Sequence, residues 1–379
     1  MKPKVTIIKC STYNQSEVDA AIEECLKPLG GIEKFVFTGQ KVLIKPNLLM
    51  ERPPEDCVTT HPSIIRSLIK QIKKAGGIPF VGDSPGAAIR GTEKILEVSG
   101  IREAVLNEGG KIVNFESGGI KKVQTQFSFM PFYYISGIID EFNVIINVPK
   151  LKTHELTKYT GAIKNMFGTV PGMCKPDVHR CAPGINNFSR IIVEIFAGIK
   201  PILNVMDAVY GMEGNGPSGG HPKKIGYILA SQDAVALDAV CSYMIGYKVT
   251  DIITTVIGSQ YRLGEMDINK IDTEGKDIKS LRIKDFKRPI THHSRIIPKI
   301  LLKYAYSKIR VLPYINLNKC QRCLICIKHC PVSAIEFNND IFKFDYDKCI
   351  ECFSCHELCK YKAVVLKKNF LARIILRNR

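Results

Sequence analysis

The chain has 379 residues, 45% of them apolar and 24% charged, a balance that excludes extensive disorder and a length that exceeds one average domain. No apolar run reaches the roughly 18 residues of a membrane span, and Met1-Lys2-Pro3-Lys4-Val5 begins no long apolar leader, so the cytoplasm is the expected compartment. The net charge of +18 divides into +4 over residues 1–281 and +14 over 282–379, which favours acidic partners or anionic surfaces for the C-terminal quarter. Residues 1–280 alternate short apolar runs with helical stretches, which predicts an α/β fold: a large domain with a mostly parallel sheet. Val5–Ile8, Val42–Ile44, Ile78–Val81, Val144–Val148, Ile202–Val205 and Ile228–Ala230 read as strands. Ser63–Ala75 carries Ile64, Ile65, Leu68, Ile69 and Ile72 on one helical face behind a first-turn Pro62, with His61 at the helix start. Asp233–Ile245 and Ile252–Tyr261 are further helices.

Polar residues gather where the strands end. Lys45-Pro46-Asn47 follows the strand at 42–44, and Gly82-Asp83-Ser84-Pro85-Gly86 the strand at 78–81. The strand at 144–148 runs into Pro149-Lys150-Leu151-Lys152-Thr153-His154, and the one at 202–205 into Asp207 and the glycine-rich stretch from Gly211 to Gly220. Ligands of α/β folds collect outside the carboxyl ends of strands, so these turns are expected to converge on one pocket. Together with Gly161-Ala162-Ile163-Lys164-Asn165-Met166-Phe167-Gly168, they resemble the family known as domain of unknown function 362 over nearly all of residues 1–280. The resemblance brings no established reaction. It implies that Lys45, Asn47, His61, Asp83, Lys150, Lys152, His154, Lys164, Asn165, Asp207 and Glu213 lie at family-motif positions, and that fusion to a ferredoxin module is common.

Read physically, Lys45, Lys150, Lys152 and Lys164 form a cationic site for a carboxylate or phosphate, with Asn47, Asn165 and Glu213 as further substrate contacts. Gly214 and Gly216 would let backbone N–H groups approach the anion. His154, beside lysines that depress its pKa, is the expected general acid or base, with Lys152 as a second catalytic group and Asp83 or Asp207 to orient it. The glycine run ends in neither Gly-Lys-Ser nor Gly-Lys-Thr and is no G-x-G-x-x-G, so nucleotide binding is unsupported. Taken one at a time, a lysine or aspartate at a strand end is more often a solvated turn residue or a cap. Cys174, His179 and Cys181 invite a metal reading, but their spacing matches no common site. Cys10, Cys25, Cys57 and Cys241 are expected to pack as small apolar residues.

From residue 281 to 313 the chain becomes a basic linker in which Arg295, Lys299 and Lys303 recur beside Ile297, Ile300, Leu301 and Tyr304. A basic tail follows from 369 to 379. Either could dock one domain on the other or make peripheral contact with an anionic membrane. Nucleic acid is disfavoured because no recognition motif accompanies the charge.

Eight of the fourteen cysteines fall between Cys320 and Cys359, which points to metal instead of disulfides. Cys320, Cys323, Cys326 and Cys330 form a C-x2-C-x2-C-x3-C run before Pro331, and Cys349, Cys352, Cys355 and Cys359 repeat it before Lys360 in place of proline. A 29-residue internal repeat relates Cys320 to Cys349, Ala334 to Ala363, Ile335 to Val364 and Phe337 to Leu366. Paired C-x2-C also reads as zinc, though a four-ligand ion explains two tandem runs poorly. Residues 314–368 resemble two-cluster bacterial ferredoxins, small α+β modules holding two [4Fe-4S] clusters. In that family the last cysteine of each run serves the other cluster, which implies Cys320, Cys323, Cys326 and Cys359 for one and Cys349, Cys352, Cys355 and Cys330 for the other. The leading expectation is an iron-sulfur oxidoreductase whose ferredoxin module relays electrons to or from an anionic substrate in the large domain, its partner being a redox partner protein or that small anionic substrate. A non-enzymatic electron carrier or redox-controlled binding protein is a second reading, and a non-redox enzyme with structural clusters a third. A closed polar pocket beside a cluster would favour the first.

Overall fold

The computed structural model describes residues 2–85, 92–291 and 311–368. Gly86, the amphipathic part of the linker around Arg295, Lys299 and Lys303, and the tail from 369 lie outside the described residues. The N-terminal half opens with β1 (Lys4–Lys9), α1 (Gln15–Leu26), β2 (Lys41–Pro46), α2 (Pro62–Lys74), β3 (Ile78–Val81), α3 (Thr92–Val98), α4 (Ile101–Asn107) and β4 (Lys111–Ile112). A hairpin of β5 (Ile120–Gln124) and β6 (Phe132–Ser136) leads to β7 (Val144–Val148), β8 (Lys150–His154) and β9 (Lys158–Thr160). Then come α5 (Ala162–Asn165), α6 (Lys175–Cys181), α7 (Gly184–Ile199), β10 (Leu203–Glu213), β11 (His221–Ser231), α8 (Ala234–Met244), α9 (Ile253–Gln260) and β12 (Asp272–Glu274). The C-terminal module holds β13 (Val311–Ile315), α10 (Ile325–Lys328), β14 (Ile335–Asn338), β15 (Ile341–Phe344), α11 (Ser354–Glu357) and β16 (Val364–Lys368).

The main sheet runs β12-β1-β11-β10-β7-β2-β3-β4, with β8 on β10 and β9 on β8. It is α/β and mostly parallel: β4, β3, β2, β7 and β10 all pair parallel, while β11 pairs antiparallel with β10 and β1. Strand alternation sorts side chains to two cores. Ile8, Val205, Val209 and Ile228 join α1 and α2 on one face; Ile7, Met206, Ala208 and Leu229 join α5, α7, α8 and α9 on the other. Each fully buried aliphatic side chain contributes about 1.5–3 kcal/mol relative to exposure. Helix α2 starts as its sequence requires: His61 Nδ1 accepts from Ser63 N at 3.2 Å and Pro62 occupies the first turn, where no N–H is needed. Among the described residues no helix is long and apolar enough to cross a membrane.

One expectation needs correcting. Lys150–His154 is no loop; it is a buried strand that leaves the end of β7 through Pro149 and pairs with β10. A buried ion pair fixes this switch: Lys150 Nζ lies 3.0 Å from Asp207 Oδ2, and both side chains are inaccessible to solvent. Lys150 also donates to Tyr13 Oη at 2.6 Å, Tyr13 Oη donates to Asp207 Oδ1 at 2.8 Å, and Asp207 Oδ2 accepts from His61 N at 2.9 Å. With its lone pairs so engaged, Asp207 holds β8, β10, Tyr13 and the start of α2 together. Asp207→Ala is expected to lower stability by about 3–5 kcal/mol, because deleting one partner strands the other charge in the interior. Urea unfolding midpoints check this, and Lys150→Met combined with Asp207→Leu should recover most of the loss.

Candidate functional site

The carboxyl ends of β2 and β3 frame a pocket with about 800 Å³ of empty space including its open mouth. Asn47, Leu48 and Leu49 come from the turn after β2, and Asp83 and Ser84 from the turn after β3. Asp83 is fixed on both oxygens: Oδ1 lies 2.7 Å from Lys45 Nζ and Oδ2 accepts from Leu48 N at 2.8 Å. Gly168 makes this approach possible, since a Cβ there would overlap the Asp83 carboxylate and the Lys45 ammonium. An amide chain runs beneath: Asn47 Nδ2 donates to Asn165 Oδ1 (3.1 Å), Asn165 Nδ2 to Asn147 Oδ1 (2.8 Å) and Asn147 Nδ2 to Asn204 Oδ1 (2.8 Å). Short helix α5, which carries Lys164 and Asn165, is held by Asp238 of α8, whose carboxylate accepts from Ala162 N and Ile163 N at 2.7 and 3.0 Å.

Three lysines line this pocket. Lys152 Nζ donates to Val58 O at 2.7 Å, and Lys175 Nζ to Ser84 O and, at 3.3 Å, to Ser84 Oγ. Lys164 Nζ lies 5.9 and 6.0 Å from the ring centres of Phe167 and Phe188. Burial disfavours each ammonium: it brings Lys152 down to about 7, with Lys164 and Lys150 adding repulsion, and Lys175 to about 8. Lys164 is likewise lowered by burial, Glu357 opposing the shift. His179, stacked on Phe188 at 4.5 Å, is pushed to about 3 by burial and by Lys164.

The far wall belongs to the C-terminal module: His329, Ser354, Glu357 and Leu358. Two crossed contacts join the halves, His154 Nε2 to Glu357 Oε1 at 3.2 Å and His356 Nε2 to Glu155 Oε1 at 3.0 Å. Ser218 Oγ donates to Glu357 O at 2.7 Å, and Arg52 Nη2 to Lys360 O at 2.6 Å, while Lys360 Nζ approaches Glu51 at 3.6 Å. Lysine at the position of the missing proline thus serves the docking of the module.

Within the module the 29-residue repeat is written into the backbone. Left-handed residues pair off as Arg322 with Glu351, Leu324 with Phe353 and Ser333 with Lys362. Ala334 N donates to Cys330 Sγ at 3.1 Å and its repeat partner Ala363 N to Cys359 Sγ at 3.2 Å. Cys320, Cys323, Cys326 and Cys359 line one cavity. Cys355 lies within electrostatic reach of Cys352, Cys349 and Cys330, and also of Cys326. Four thiols lining one cavity, a further set of cysteines acting on Cys355, and N–H groups aimed at sulfur suit thiolate-held iron-sulfur clusters.

Residues 42–243 match the family described as domain of unknown function (DUF362). The chain belongs to that family. Residues 312–360 match the 4Fe-4S dicluster domain, so the DUF362 domain is followed by a ferredoxin-like iron-sulfur domain. A thylakoid-associated protein of Synechocystis sp. is 34% identical over 266 residues, 70% of this chain and 80% of that protein. Over the module alone, the pyruvate synthase subunit PorD of Methanothermobacter marburgensis is 36% identical across 57 residues, 15% of this chain and 67% of the subunit. Among solved structures, the lactate racemase apoprotein from Thermoanaerobacterium thermosaccharolyticum aligns with a TM-score of 0.41 at 12% identity, over 64% of this chain and 57% of that one.

Apart from His154, the residues singled out in the sequence divide into three groups. Asn47, Asp83, Lys152, Lys164 and Asn165 line the pocket, with Lys45 directly behind Asp83. Lys150, Asp207 and His61 form the buried network described above and do not line it. Glu213, Gly214 and Gly216 do not line it either: Glu213 Oε2 accepts from Lys287 N at 2.9 Å, Gly214 N donates to Lys287 O at 2.8 Å, and Gly216 packs on Thr153. The glycine run thus straps the start of the linker and abuts the module, where Gly219 leaves room for His356. His154 does not suit the acid–base role expected of it. Its Nδ1 accepts from Leu156 N and Thr157 N at 3.1 and 3.3 Å, so the proton sits on Nε2 facing Glu357, and burial with Lys164 nearby holds its pKa well below the usual value. Lys175, Ser84, Glu357 and His329 were not foreseen as site residues. Lys175 and His179, four apart on α6, share the pocket face, whereas Cys174 and Cys181 are absent from its lining. Anion affinity is expected to fall several-fold between about pH 6 and about pH 9, because the ammonium form binds the anion and its proton is lost as pH rises through the values of Lys152 and Lys175. Calorimetric titration with sulfate at fixed ionic strength checks this; an affinity constant across the interval would contradict it.

Proposed function

We propose that this DUF362 protein is an iron-sulfur oxidoreductase in which the ferredoxin-like domain exchanges electrons with a small anionic substrate bound between the two halves. The observation that carries the reading is the composition of the pocket wall: strand-end turns on one side, and on the other His329, Ser354, Glu357 and Leu358, each next to a cysteine of the two runs or two residues from one. Two [4Fe-4S] clusters are assigned, one on Cys320, Cys323, Cys326 and Cys359 and one on Cys330, Cys349, Cys352 and Cys355. Such clusters supply single electrons at potentials tuned by hydrogen bonds and exposure. Lys164 and Lys175 hold the anion, Asn47 presents a buried Oδ1 without a hydrogen-bond partner, and Asp83 keeps the turns in register through Lys45 and Leu48 N. Lys152 Nζ replaces His154 as the group that gives or takes a proton, since both its forms are accessible near neutral pH. The crossed His–Glu contacts keep the module against the pocket, where water access is limited. Ferredoxin-like electron transfer implies a redox partner protein, and the cytoplasm remains the proposed compartment.

Anaerobic redox titration followed by electron paramagnetic resonance, with and without sulfate, citrate or benzoate, tests this reading. One reduced-cluster signal is expected to change on anion binding, and Lys164→Gln should abolish the change while iron content stays the same. Signals indifferent to every anion that binds would sink the proposal.

A further inference from the structure

Charge within the pocket narrows the ligand beyond an anion in general. Among the described residues, none of Lys152, Lys164 and Lys175 has a carboxylate oxygen within 4.0 Å, whereas Lys45 has Asp83 at 2.7 Å. Two carboxylates line the pocket with them. Asp83 is already matched by Lys45, and Glu357 lies 3.2 Å from His154, with Lys164, His356 and Lys152 acting on it over longer range. Glu116 touches Ser84 Oγ and Gly172 N from the exposed side and acts on Lys175 only over longer range, through no direct ion pair. Setting Glu357 against one of the three leaves two ammonium groups without a directly paired carboxylate in a largely buried space.

Lys164 is central to them: its charge is felt by Lys152, Lys175, His154, His179 and Glu357. Because all three lysines line one pocket, a ligand charge placed at Lys164 acts on the other two as well. A single negative charge would satisfy one ammonium and leave its like-charged neighbour repelled and desolvated, while two charges on one ligand satisfy both. Leu48, Leu49, Phe167 and Pro217 supply an apolar wall for the rest of the molecule. We infer that the ligand is a small dianion with an apolar body, a dicarboxylate or a phosphate ester, held by Lys164 with Lys152 and Lys175. This rests on the reading of the pocket as an anionic substrate site.

The test is calorimetric titration of the cluster-loaded, full-length protein with phthalate, phenyl phosphate, benzoate and the neutral benzamide at one ionic strength. At least one dianion is expected to bind tenfold or more tighter than benzoate, and the better of phthalate and phenyl phosphate distinguishes carboxylate from phosphate. Lys164→Gln and, separately, Lys175→Gln should each erase most of that preference with iron content unchanged; Lys164→Met serves if the glutamine variant is unstable. Benzoate binding as tightly as both dianions, yet still weakened by Lys164→Gln, would overturn the dianion and leave the anionic pocket standing. If no probe binds and Lys164→Gln only moves a cluster potential, the lysines balance the thiolate sites, and both the inference and the pocket reading fail.

Discussion

Five lysine ammonium groups are drawn out of water around the strand ends of the DUF362 domain, and much of the site is arranged around that fact. A buried ammonium is tolerated only with hydrogen bonds and opposing charge close by. Lys150 has its carboxylate on the next strand and Lys45 has one on the adjacent turn. Lys152 has a single backbone carbonyl within hydrogen-bonding distance, and Lys175 has Ser84. The two that are satisfied act as fasteners of the fold; the less satisfied face the pocket. The same residue type therefore does two jobs a few residues apart, and the partner decides which.

The position of the pocket follows from the way the chain leaves the sheet. Strand β7 ends at Val148, and β8 starts two residues later at Lys150 on β10, so the sheet splits near the end of β7. The turns after β2 and β3 flank that split, and α5 and α6 cover one side. Without the C-terminal module the remaining side would lack the wall formed by Ser354, Glu357 and Leu358. The two parts thus complete one another, joined by the His–Glu contacts, by Arg52 and by Ser218.

The sequence was most legible where local rules act alone. Strands Ile78–Val81 and Val144–Val148 and the start of α2 at Pro62 were read correctly from apolar runs and a first-turn proline. The cysteine runs needed only their spacing. Strand β8 was misread because Lys150, Lys152 and His154 look like a solvated turn; what buries them is Asp207 and the carbonyl of Val58, nearly sixty residues downstream and over ninety upstream. In the glycine-rich stretch it is His356 and the linker backbone that make the close approach, at Gly219 and Gly214. Helix α1 was not anticipated, its buried face being built partly of Ala21 and Cys25. Glu357 carries no local sign at all, since cysteine spacing does not say which face of the module meets the larger domain.

A part built from two like halves can be mounted in two ways. In this module the halves share their helix positions, their left-handed residues and their N–H to sulfur contacts, so backbone alone would not choose between them. The choice is made where the repeat is broken: His356 and Glu357 stand where the first half has Ile327 and Lys328, and Lys360 where it has Pro331. Pro331 has no ammonium to offer, whereas Lys360 reaches Glu51 and receives Arg52 on its carbonyl. A duplicated and nearly symmetric unit thereby acquires an inside and an outside.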